Sequence, residues 1–277
     1  MKPDDRFVNQ DLSFWSNIRL ISQLVGYTDR KSKQIKVPTI EEIKCEFLKK
    51  GLNTEKIEKS GVVTEYGNLI IEYFLYRSNF VRDACQYLMD VDEARRVFND
   101  VCRNFPSGIK KPPLPMNKQK GDKKNYAYFT CIINLLISQY ILGENCDFDP
   151  RELTLLTENG CPFRTLSRRV DGCYPSTIDP VALWEIKEYY YTTTFGSRVA
   201  DGVYETLVDG LELNEIQLSK KRKIRHYLMI DSYQTWWVQG RSYLCRMVDM
   251  LNMGMVDEIL FGKEVISRIP DLVRSWG

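Results

Sequence analysis

The stretch Arg168–Thr194, RRVDGCYPSTIDPVALWEIKEYYYTTT, decides the reading of this chain. Its second half is rich in aromatic and β-favouring residues and sets Glu185 and Lys187 two positions apart. Side chains alternate faces along a strand. Glu185 and Lys187 therefore emerge together with Leu183 and Tyr189, while Trp184 and Ile186 point the other way, into a core. Upstream, around a turn at Pro175–Pro180, stand two more carboxylates, Asp171 and Asp179. Two acids and a lysine on a β-hairpin are a minimal set for holding Mg2+ against a phosphodiester.

The same acid-x-lysine spacing occurs at Asp29/Lys31, Glu42/Lys44 and Asp122/Lys124. Context separates these from Glu185. Thr39 and Glu42 form a capping box at the start of TIEEIKCEFLKKG, whose apolar spacing is helical. Asp29 and Asp122 sit in polar, lysine-rich loops with no flanking apolar run. Only Glu185 follows an apolar strand start with another acid upstream.

A chain of 277 residues holds one large domain or two modest ones, and 43% hydrophobic with 27% charged residues is the balance of a soluble globular protein. No apolar run approaches the roughly 20 residues that span a bilayer, and Met1 to Asp11 lacks a signal-peptide core. The eight cysteines never form a CxxC pair and His226 is the one histidine, which excludes zinc sites of the usual spacing and disfavours histidine-based nucleophilic catalysis. A reduced, cytoplasmic protein without a membrane partner is expected. The net charge of +2 rules out a histone-like polycation, yet the basic residues cluster. One group runs from Lys110 to Lys124, another from Lys220 to Arg225, and Arg164, Arg168 and Arg169 precede the candidate site. Three clusters around one acidic site favour a polyanionic substrate.

The first half reads as helical. Helices are expected over Leu12–Val25, Thr39–Lys50, a short Thr54–Ser60, two amphipathic stretches from Tyr66 to Cys102, Tyr126–Leu142 and a short Pro150–Asn159 capped by Asp149. Residues 104–124, with Pro106, Pro112, Pro113 and Pro115, read as a loop. Beyond Cys161 the pattern changes. Strands are expected at Thr165–Tyr174 and Val181–Thr193, then a helix from Ser197 to about Leu211, a buried strand at Ile224–Ile230, a helix at Arg241–Met253, a strand at Glu258–Phe261 and a closing helix to Trp276. The fold class is therefore α/β (α+β): a mixed central β-sheet flanked by helices, because parallel neighbours need helical crossovers. The chain divides into a helical region 1–105, serving DNA recognition or dimerisation, a basic loop 106–124 and a mixed part 125–277.

A strand bearing Asp171, a turn, a strand bearing Glu185-Ile186-Lys187, then a helix and a buried strand resemble the PD-(D/E)xK nuclease superfamily, whose best-known members are type II restriction endonucleases. The resemblance covers roughly residues 126–235. Its one departure is that no Pro-Asp dipeptide precedes the site; the candidates read Val170-Asp171 and Ile178-Asp179. It implies a restriction-endonuclease-like core and a Mg2+-dependent (with Mn2+ able to substitute), sequence-specific cutter of double-stranded DNA that leaves 5′-phosphate and 3′-hydroxyl ends. Metal ligands would be Asp171, Glu185 and the Ile186 carbonyl, with Asp179 as the alternative to Asp171; Lys187 would stabilise the transition state.

Restriction enzymes that cut palindromes are often homodimers, and the absence of GxxxxGK[ST] argues against ATP. Candidate DNA contacts are Lys123, Lys124, Arg168, Arg169, Thr194, Ser197, Arg198, Lys221 and Arg222, the Thr192–Arg198 turn resembling a phosphate site at a helix N-terminus. Glu188 reads as a surface charge and His226 as a strand residue. The alternatives are a repair or junction-resolving nuclease of the same superfamily, or a non-catalytic DNA-binding protein reading through a helix-turn-helix at Thr39–Glu65.

Overall fold

The computed structural model describes residues 1–29, 31–117, 125–142, 145–191 and 196–276. The expectations at Lys123, Lys124 and Thr194 lie outside the described residues, as do the side chains of Ser197 and Arg198.

The N-terminal part follows its caps. Helix α1 spans Asp5–Val8, and α2 (Leu12–Val25) starts where Asp11 accepts the Phe14 N–H at 2.7 Å. The Thr39/Glu42 capping box opens α3 (Ile40–Lys49). Where a short helix was expected, the chain forms a hairpin, β1 (Glu58–Lys59) and β2 (Val62–Val63), turned by Ser60-Gly61 at φ 52° and 79°. Such left-handed pairs match the twist of a two-residue hairpin. A single helix followed by a hairpin is not a helix-turn-helix, so that reader is absent from Thr39–Glu65. Helix α4 (Glu65–Cys85) lays Ile70, Tyr73 and Phe74 on Phe7, Phe14, Trp15 and Ile43 to make the N-terminal core.

Helix α5 (Val91–Arg103) is separated from α4 by Gln86–Asp90, with Asp90 as its cap. It packs against α6 (Tyr128–Tyr140), which is buried almost all round. The expected helix at Pro150–Asn159 is instead strand β4 (Leu155–Glu158), joined by Asn159-Gly160 to β5 (Cys161–Thr165). After the short β3 (Asp147–Phe148), the expected strand at Thr165–Tyr174 also divides. Its first residue ends β5, residues 166–171 leave the sheet, and only β6 (Gly172–Tyr174) pairs with β7 (Ala182–Glu188). Gly172 permits this, since a Cβ there would lie 2.2 Å from the Trp184 indole.

Helix α7 (Ser197–Lys220) runs beyond Leu211 because Leu213 and Ile216 continue its buried stripe. It leads to β8 (Arg225–Asp231), a π-helical turn Tyr233–Gln239, α8 (Arg241–Asn252), β9 (Glu258–Phe261) and α9 (Glu264–Arg274). Among the described residues this builds a mixed sheet in the order β3-β6-β7-β8-β9, antiparallel as far as β7 and parallel from β7 to β9.

Strand alternation feeds two cores. Trp184, Tyr227, Met229 and Leu260 face α6 and α9, while Leu228, Ile230, Ile259 and Phe261 face α8 and the start of α7. Arg77 ties the N-terminal part to the sheet part. Its fully buried guanidinium meets Asp249 at 3.0 Å, an ion pair that offsets the cost of taking both charges out of water. No helix among the described residues is long and apolar enough to cross a membrane, and the eight cysteines are free thiols.

Candidate active site

The site grows from an early strand ending. Because β6 begins only at Gly172, the Ile186 N–H on β7 has no backbone partner at that edge, and Asp171 Oδ2 accepts it at 2.8 Å. The N–H and C=O of one strand residue point to the same edge, so the Ile186 carbonyl faces the same notch. Asp171 thus stands at the rim of the sheet, on the wall between two clefts.

Glu185 and Lys187 share the face of β7 covered by α7, with side-chain exposures of 0% and 8%. Lys187 Nζ donates to Glu185 Oε2 and to Glu205 Oε2, both at 2.9 Å. Arg168, on the segment that left the sheet, lies 2.9 Å from Glu185 Oε1 and 2.6 Å from Asp209 Oδ2. Glu205 and Asp209 are one turn apart on α7, so that helix supplies two acids to the group.

Four carboxylates therefore meet two cations. Burial, then the nearby Glu185 charge, lifts Asp171 to about 6 and Asp209 to about 7. Burial also opposes ionisation of Glu185, but Lys187 and Arg168 outweigh it and hold its carboxyl below the usual value. Burial works against the Lys187 ammonium too, and Glu185 and Asp171 overcome it, raising Lys187 above an ordinary lysine. Its two carboxylate contacts at 2.9 Å favour the charged form of Lys187. Among the described residues, two buried oxygens, Glu185 Oε1 and Asp209 Oδ1, receive no hydrogen bond, Oε1 having its ion pair with Arg168. Surplus acid, all-oxygen donors and an under-satisfied buried carboxylate suit a hard divalent cation. Among the described residues no three acidic, histidine or cysteine side chains hold a metal by themselves. Two carboxylates and the Ile186 carbonyl are the available set, with Arg168 as the competing cation.

The structure brings Asp171, Glu185, Ile186 and Lys187 together and leaves Asp179 elsewhere. Asp179, at φ 55°, binds the Thr157 N–H and hydroxyl and pairs with Arg222 at 2.7 Å, securing the β4–β5 hairpin. Of the residues expected to contact DNA, Arg168 is a counter-ion of Glu185 and Asp209, and Arg222 pairs with Asp179 while about a third exposed. Lys220 and Lys223 are likewise paired, with Glu158 and Asp257, and Arg164 with Glu212 and Glu215. Arg169 is exposed beside the Asp171 cleft, and Lys221 is the exposed residue ending α7.

Of the other acid-x-lysine pairs, Asp122/Lys124 lies outside the described residues and the remaining two are local. Asp29 accepts the Lys31 and Ser32 N–H groups, and Glu42 completes its capping box. His226 is a buried β8 residue whose Nδ1 lies 2.8 Å from the Met255 carbonyl.

Glu188 overturns the surface-charge expectation. Its Oε2 accepts the N–H and the hydroxyl of Thr130 at 3.0 Å each, capping α6, which has no side-chain cap at Ala127. Burial raises its carboxyl to about 7. Asp209 was missed as a site residue. The signal was its position one turn beyond Glu205, inside the helix expected to run to about Leu211.

Residues 89–276 match the model of a family described as Domain of unknown function (DUF7687), and residues 1–84 match another described as Domain of unknown function (DUF7690). The boundary between the two matches falls between α4 and α5. No curated protein and no solved structure matches the chain.

Proposed function

As the chain belongs to the family of domains of unknown function DUF7687, we propose its activity from the site alone: a divalent-metal-dependent endonuclease that hydrolyses DNA phosphodiesters. One observation carries the reading. Asp171 and Glu185, fourteen residues apart around a turn, arrive at neighbouring strands with Lys187 alongside.

Asp171, Glu185 and the Ile186 carbonyl are the groups that would hold the metal. When bound, Mg2+ supplies positive charge against the anionic phosphodiester and makes water a better nucleophile at neutral pH. The chain's own residues do the rest. Lys187, protonated and fixed by Glu185 and Glu205, presents an ammonium that favours the added negative charge of the transition state. The Ile186 N–H orients the Asp171 carboxylate, and burial under α7 keeps Glu185 from bulk water. Arg168 neutralises Glu185 and Asp209, so it holds the carboxylates in place against their mutual repulsion.

The finer reading follows the resemblance in the sequence: a type II restriction enzyme, homodimeric on two-fold sites, independent of ATP and leaving 5′-phosphate ends. A second reading, a purely structural ion cluster, has in its favour that Glu185 is already matched by two cations.

Incubation with mixed phage and plasmid DNA, with Mg2+ or with EDTA and beside Lys187→Ala, separates them. Discrete Mg2+-dependent fragments lost in the variant support a site-specific nuclease. Smears or junction-only cutting move the function to repair or recombination. No cleavage by a folded protein leaves the ion cluster.

A further inference from the structure

On the opposite side of β7 from Glu185 and Lys187 lies a cavity of about 450 Å3. Small-molecule sites span about 300–1,000 Å3, so it is large enough for a nucleoside. Its walls come from separate elements: Phe148 on β3, Ile186 on β7, Tyr190 just beyond β7, and Met116 on the proline-rich loop. These are flat or pliant apolar surfaces of the kind on which bases stack.

Its depth is polar. Asn134 lines it while only 4% exposed, and its Nδ2 donates to the Pro113 carbonyl at 2.9 Å. A carboxamide has two N–H donors and an acceptor oxygen. Among the described residues that amide makes no further hydrogen bond. Glu188 and Thr130 add a carboxyl and a hydroxyl, and Arg151 places a largely exposed guanidinium at the rim. Two of the lining residues, Asp171 and Ile186, are also candidate metal ligands, so the cavity opens onto the proposed reaction centre.

We propose that this cavity receives a nucleobase swung out of its stack, beside the phosphodiester addressed by Asp171 and Glu185. The inference rests on the nuclease reading and deepens it by naming the substrate form. A paired base presents its hydrogen-bonding edge to its complement and cannot reach a buried asparagine. An extruded or unpaired base can, with its faces against Phe148, Tyr190 and Met116. The class of substrate is thus DNA with an unpaired or easily extruded nucleotide next to the cut.

The test compares two otherwise identical duplexes, one fully paired and one with a single bulged 2-aminopurine, each titrated with the full chain in Ca2+ and followed by fluorescence. The bulged duplex is expected to bind about tenfold tighter, the scale of one base gaining a stacking and hydrogen-bonding pocket. Met116→Trp, which fills the cavity, brings the ratio to near parity, and Asn117→Trp does the same from the adjacent position on that loop. Equal binding of both duplexes by the wild type overturns the proposal whether or not the variants fold. So does a preference that survives either substitution in a protein with unchanged circular dichroism. Mg2+-dependent cutting of the paired duplex without bulge preference removes this inference and leaves the nuclease standing. Failure to bind or cut either duplex removes both.

Discussion

Replacing Arg168 by methionine keeps the apolar stem and deletes the charge that Glu185 and Asp209 share. Both carboxylates are fully buried and Arg168 is itself only 25% exposed. Breaking a buried ion pair by removing one partner costs about 3–5 kcal/mol, and the partial exposure of Arg168 places this one near about 3 kcal/mol. The loss has a pH signature. Asp209 and Asp171 have folded-state values raised from 3.8 to about 7 and about 6. The fold therefore binds their protons more tightly than the unfolded chain. Stability from these two groups is full below the unfolded value and falls as pH rises through the window from 3.8 to about 7. Arg168 lowers both values, so deleting it pushes them further up and deepens that fall.

Urea unfolding followed by circular dichroism should show a deficit of about 3 kcal/mol near about pH 8 and roughly half that near about pH 5, where the Asp209 carboxyl is already protonated. The residual at low pH comes from Glu185, which stays ionised. A deficit under about 1 kcal/mol near about pH 8, or one that grows on acidification, would refute the view of Arg168 as the buried counter-ion of this site.

Further tests follow from the same geometry. Asp171→Ala should lower Mg2+-dependent cleavage by about a hundredfold or more, whereas Asp179→Ala, at the β4–β5 hairpin, should leave the rate within about threefold; equal losses would undo the choice between them. Glu188→Ala should destabilise the protein by about 1–2 kcal/mol through loss of the α6 cap, and Glu188→Gln, which keeps an acceptor, by less than half of that in the same unfolding assay. Gly172→Ala places a methyl group against the Trp184 indole and should cost about 3 kcal/mol or more in urea unfolding. A near-neutral result there would mean that β6 and β7 pair more loosely than described.

Much of the architecture was legible because its causes are local. The Thr39/Glu42 capping box sets α3, period-two alternation sets β7, and the apolar run at Glu258–Phe261 is a strand from end to end. The order hairpin, helix, strand, helix, strand, helix after residue 165 needed only these signals, and it implies a mixed sheet. The two missed hairpins were local as well. Ser60-Gly61 and Asn159-Gly160 are turn pairs that favour left-handed backbone, and the first residue of each reads in sequence as the end of an expected helix.

The site divides in the same way. That Glu185 and Lys187 share a face follows from strand geometry alone, and sequence sufficed to mark Asp171 and Asp179 as competing partners. Only tertiary structure separated those two. The choice depends on where β6 stops, and therefore on whether Gly172 can lie beneath Trp184 and leave the Ile186 N–H for Asp171. The same holds for Arg168 and Arg222, which read as DNA contacts in one dimension, and for Glu188, which reads as a surface charge. Each found a partner within the chain because folding brought an opposite charge, or an uncapped helix end, from 17, 43 and 58 residues away. A charge's role depends on what faces it across the fold, and spacing along the chain carries no record of that.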